Sequence, residues 1–129
     1  SSLFYLNKLN FSQNNYSNQN LIDLIYLALV HQKLGDYELS NKYAEDFLKI
    51  IKDEDPPKKF APLIYWMSYD FFNNSKNIDQ AHKNLENAYL EIKSFSKEIT
   101  NMKDRKMYLN IPLHKEIISE REKKIFKVN

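Results

Sequence analysis

The sequence predicts an all-α fold, an array of antiparallel helix hairpins ending in a C-terminal capping helix, and three observations carry that prediction. Two stretches, Leu21 to Leu34 and Ala61 to Asn73, are apolar on several sides at once, as a helix with more than one packed neighbour must be. Two others carry a single apolar stripe at helical spacing: Leu39, Tyr43, Phe47 and Ile50, and then Ala81, Leu85, Ala88, Tyr89, Ile92, Phe95 and Ile99. Each inner stretch is joined to its striped partner by a short polar turn.

Taken in order, Ser1 to Asn20 places Leu3, Phe4, Leu6 and Leu9 on a short helical face and then passes into polar FSQNNYSNQN. It reads as the remnant of a helix whose partner lies outside this sequence, or as a disordered leader. The chain starts without methionine and without a signal pattern, so a piece of a longer protein is expected. The inner helix begins with Asn18 or Asn20 as cap and runs to about Leu34. Gly35, the only glycine, is placed to end it in a left-handed residue, and Asp36 to cap the next helix, which runs to about Lys52. Ser40 and Ala44 are small enough to let the two helices approach closely.

Asp53 to Lys59 contains Pro56 and Pro57, neither of which can donate a backbone hydrogen bond, and reads as a solvated connector. The third helix starts at about Pro57 or Phe60, with Pro62 in its first turn, and ends at the Asn73 to Asn77 turn. The fourth runs from about Ile78 to Thr100. A short helical turn follows near Asp104, and Pro112 opens a last helix whose alternating Glu and Lys predict a mostly wet surface. The expected division is an N-terminal remnant over 1–20, a helical repeat domain over 21–119 and a tail over 120–129.

Composition narrows the function. The 129 residues fit one domain, with no cysteine, which excludes a disulfide framework, a thiolate zinc site and a cysteine nucleophile and agrees with a cytoplasmic setting. Net charge is +2 with both signs interspersed, and Arg105 and Arg121 are the only arginines, so no nucleic-acid partner is expected. No apolar run reaches the ~18 to 20 residues of a membrane span. His31 sits at a packing position and is expected to be a satisfied core or groove histidine. His82 and Glu86 share a helical turn but lack a third ligand, and His114 and Glu116 face different ways. With one glycine there is no phosphate-cradling loop, and neither a nucleophile elbow nor a carboxylate pair is apparent. No enzyme activity, metal or cofactor is expected.

The chain repeats itself. Superimposing Gly35-Asp36-Tyr37-Glu38-Leu39-Ser40 on Lys76-Asn77-Ile78-Asp79-Gln80-Ala81 matches Tyr37 with Ile78, Ser40 with Ala81, Ala44 with Leu85 and Phe47 with Ala88. Through Leu24, Leu27, Ala28, Gly35, Tyr37, Ala44, Ala81, Leu85 and Ala88 the sequence resembles the tetratricopeptide repeat (TPR) family. His31, Ser40 and Lys76 depart from its pattern, and the units are spaced more widely than its usual ~34 residues. Tyr65-Trp66, Ala88-Tyr89 and the run Met107 to Ile117 also look like the closing segment of helical repeat regions in large bacterial signalling proteins, where a cyclase, ATPase or DNA-binding domain lies elsewhere in the chain.

The resemblance implies a TPR-like α-solenoid fragment acting as a noncatalytic scaffold that binds a peptide or protein partner on its concave face. The registration places Ile25, Leu29 and Gln32 beside Trp66, Asp70 and Asn73, each set at i, i+4, i+7 spacing. Ile25 and Leu29 supply no Lys, Arg or Asn cluster, so no clamp for a terminal carboxylate is expected. The same residues could instead pack on a neighbouring repeat or on the chain's own tail. A homo-oligomer contact and a structural spacer are the other readings. Sliding the third helix by one residue would bring Ser68 to the small-residue position and expose Tyr65, Tyr69 and Phe72.

Overall fold

A computed structural model of the chain describes residues 18–128, with side chains from 20 to 124. It is all-α: the described residues form six helices and no strand, namely α1 (Asn18–Lys33), α2 (Tyr37–Asp53), α3 (Ala61–Asn74), α4 (Ile78–Glu98), α5 (Met102–Leu109) and α6 (Pro112–Val128). The chain divides into two compact units, Ser1–Pro57 and Lys58–Asn129, and the division falls at the expected Pro-Pro connector. No helix among the described residues is long and apolar enough to cross a membrane. The expected N-terminal remnant lies outside the described residues as far as residue 17. Asn20 is inside the first turn of α1 and buried, so it does not cap that helix.

In the first unit α1 buries Leu21, Leu24, Ile25, Ala28 and Leu29, and α2 buries Ser40, Tyr43, Ala44 and Phe47, each set following the helical repeat. Small residues decide how close the two helices come. The Ser40 hydroxyl donates to the Ala28 carbonyl oxygen across the pair at 2.6 Å. Gly35 takes φ +85°, and a Cβ there would meet nothing within 4 Å, so the turn needs glycine for its backbone angle alone. The Gly35 N–H donates to the Gln32 carbonyl (3.2 Å) and that of Asp36 to the His31 carbonyl (2.9 Å), which satisfies the last acceptors of α1 in a Schellman turn. The Asp36 carboxylate then accepts from the Leu39 N–H, so one residue closes α1 and caps α2.

The second unit opens on Phe60 as the residue before α3, with Pro62 in the first turn. α3 buries Ala61, Pro62, Ile64, Met67, Ser68, Tyr69, Phe71 and Phe72, and α4 lays Ala81, Leu85, Ala88, Ile92 and Ser96 on the opposing stripe. The turn between them has the geometry of the first. Lys76 takes φ +61°, its N–H donates to the Asn73 carbonyl, and the Asn77 N–H donates to that of Phe72. Asn77 (φ −90°, ψ 79°) matches Asp36 (φ −89°, ψ 78°) and likewise caps the next helix, accepting from the Gln80 N–H. At the far end the Arg105 guanidinium donates twice to the Ile99 carbonyl, at 3.0 and 2.8 Å, placing a cation at the negative end of α4. α5 is capped by Asn101 and buries no residue of its own, and α6 folds back onto α4.

Candidate partner-binding site

The six expected site residues fall in both units. In the first, Ile25 (1% exposed) and Leu29 (7%) belong to the buried stripe of α1, so as they stand they offer a partner almost nothing. Gln32 is half-buried near the end of that helix. The same unit holds two polar atoms that are buried without a hydrogen-bond partner, His31 Nε2 and the Tyr43 hydroxyl, whose rings stack at 5.4 Å. The expected satisfied histidine is therefore not found: the aromatic stack positions the imidazole, but no donor or acceptor reaches its Nε2. Burial raises the pKa of the Tyr43 hydroxyl above the ordinary tyrosine value.

In the second unit Trp66, Asp70 and Asn73 line one side of α3 at i, i+4, i+7 spacing. Trp66 is half-buried, with its ring 5.4 Å from that of Tyr69 and tilted by 32°. Asp70 is half-buried and accepts a hydrogen bond from the Asn74 side chain at 3.3 Å, and Asn73 is exposed. The phase of α3 is mixed. Ser68 is buried and donates back to the Ile64 carbonyl, but Tyr69 and Phe72 are buried with it, and of the three aromatics that a one-residue slide would expose only Tyr65 keeps partial access to solvent. Burial raises the Tyr69 pKa, and the carboxylates of Glu120 and Asp70 raise it further. A half-open indole with a carboxylate one turn along and an exposed amide one turn further can hold a peptide by apolar contact and hydrogen bonds.

The C-terminal helices carry a second cluster that sequence reasoning missed. His114, which the sequence pairs with no partner, is buried, and its Nδ1 lies 2.8 Å from the Tyr108 carbonyl oxygen, an acceptor that requires the hydrogen on Nδ1. The Tyr108 ring stands 4.4 Å from that of His114 and 4.9 Å from that of Phe95, a column joining α4, α5 and α6. Burial, and then the charge of Glu91, raise the Tyr108 pKa. Seven residues after His114, the Arg121 guanidinium makes a two-pronged contact with Glu86 (3.2 and 3.3 Å) and lies 4.2 Å over the Tyr89 ring. Glu86, considered above beside His82, thus reaches across to α6, and His82 is exposed. Ile117, between His114 and Arg121, is wholly buried, so the described side chains of α6, 112–124, are mostly wet as expected but include one dry stripe. Spacing alone puts His114, Ile117 and Arg121 on one helical face; the dense Glu and Lys around them hid the signal.

Among the described residues no group of three or more His, Cys, Asp or Glu side chains is arranged to hold a metal ion. No protein-family model, curated protein or solved structure matches the chain.

Proposed function

We propose that this chain is a noncatalytic scaffold of TPR-like hairpins in the cytoplasm, a regulatory C-terminal module of a larger signalling protein that binds a peptide or a partner domain. The observation that carries the reading is the shared turn. Among the described residues Gly35 and Lys76 are the two with positive φ, and the residue after each has nearly the same φ and ψ, closes one helix and caps the next. Duplication of a helix-pair unit produces such a match, and the registered pairs Ser40 and Ala81, Ala44 and Leu85, and Phe47 and Ala88 are all buried. Trp66, Asp70 and Asn73 form the partner face, and Ile25 and Leu29 serve packing.

The test uses the wild-type chain and a Trp66→Ala, Asn73→Ala variant of matched helicity as baits in a native extract. A protein retained by wild type alone, and rebound by it after purification, supports the reading. Equal capture, or none, overturns it. Self-association is the second reading, favoured by the exposed Leu34 and Tyr37 at the first turn. Sedimentation across a concentration series separates the two.

A further inference from the structure

We infer that the α4 surface under α6 is a helix-binding seat that this chain fills with its own C-terminal helix, and that a separate amphipathic helix with an aliphatic residue four positions before an arginine takes the same seat. The inference uses none of Trp66, Asp70 and Asn73, although α6 also touches α3. Among the described side chains of α6, those of 112–124, only His114 and Ile117 are buried, and this stretch meets α4 and, to a smaller extent, α3. Its third anchor, Arg121, keeps 27% of its side chain exposed and its partner Glu86 keeps 45%. α5, which tethers it, buries nothing. A stretch held by so few dry contacts opens locally while the rest of the unit stays folded.

What the seat recognises is nevertheless specific. Glu86 presents both carboxylate oxygens to a guanidinium, with the Tyr89 ring beneath the same cation. A planar fork meets both oxygens while lying over the ring, whereas an ammonium offers only a point charge. One helical turn earlier the seat buries an aliphatic side chain completely, Ile117, and one turn before that it meets an imidazole, stacked on Tyr108. His114, Ile117 and Arg121 stand at i, i+3, i+7, a single face, so any helix with the same face presents the same groups. The charge of Glu86 selects a cationic helix over an acidic one.

A tethered α6 competes at an effective concentration on the order of millimolar, so a free helix of the same sequence should bind wild type only weakly. The test weakens the tethered copy in the full chain and supplies the helix in trans. A dye-labelled peptide of Pro112 to Val128 is titrated into wild type, into Arg121→Ala and into Ile117→Ala, with hydrogen exchange of α3 and α4 amides confirming the fold of each. The expected result is at least ~10-fold tighter binding to either variant than to wild type, with the gain lost when Glu86→Gln is added. Arg121→Ala alters a partly exposed residue and serves if Ile117→Ala fails to fold. Equal or absent binding to folded variants overturns the inference. So does a wild-type dimer in which two copies exchange α6, which would assign the seat to a second copy.

Discussion

Lys76 adopts a backbone conformation that glycine accepts freely and that costs an L residue roughly 1 to 2 kcal/mol. Lys76→Gly should therefore stabilise the second unit by up to about 1 kcal/mol, after allowance for the greater freedom of glycine in the unfolded chain. Gly35→Val should cost the first unit about 1 kcal/mol or more, all of it conformational, because no atom stands in the way of a side chain. Urea midpoints of the two variants check both signs, and a Lys76→Gly midpoint at or below wild type would contradict the turn geometry. Tyr43 gives the opposite lesson. Its hydroxyl is buried without a partner, so Tyr43→Phe should raise stability by about 1 kcal/mol, whereas removal of a bonded tyrosine hydroxyl would lower it.

At the scale of the element, small side chains and caps set how the helices meet. Ala81 and Ala88 are wholly buried on α4, so Ala81→Leu should overpack the contact with α3 and cost roughly 1 to 3 kcal/mol, read as a lowered thermal midpoint. Ser40 occupies the registered position in the first hairpin, where its hydroxyl bonds a carbonyl of the facing helix in place of a second apolar contact. The last turn of α4 depends on a side chain from the next element: Arg105 covers the Ile99 carbonyl that the helix leaves open. Among its described residues α6 is anchored by one imidazole, one aliphatic side chain and one guanidinium, the three groups on which exchange at its seat turns.

For the whole molecule, Tyr43, Tyr69 and Tyr108 share a raised pKa with burial as the first cause. Each folded hydroxyl holds its proton to higher pH than it does in the unfolded chain. The stability this linkage contributes is complete below about pH 10, the ordinary tyrosine value, and is lost as pH rises beyond it. The thermal midpoint should fall from about pH 10 upward, and Tyr69→Phe or Tyr108→Phe should make that fall shallower. Each variant differs from wild type by one hydroxyl, so the difference in slope isolates the tyrosines. Slopes that match wild type would show that these hydroxyls ionise as readily in the folded protein as in the unfolded one.

The helices, their limits to within a few residues, the left-handed Gly35, the cap at Asp36, the turn at Asn73 to Asn77 and the place of Pro62 were legible in the sequence. Each depends on hydrogen bonds and backbone angles within about six residues of chain, and residue type governs those directly. The phase of α3 was not legible. A helix apolar on several sides gives its periodicity no direction, so only packing could decide that Tyr69 turns inward while Trp66 stays half-open. Burial of Ile25 and Leu29, the unpartnered atoms of His31 and Tyr43, the role of His114 and the reach of Arg121 to Glu86 belong to the same class. They depend on which side chains meet after folding, across separations as long as that from Glu86 to Arg121, and only the tertiary structure decides them.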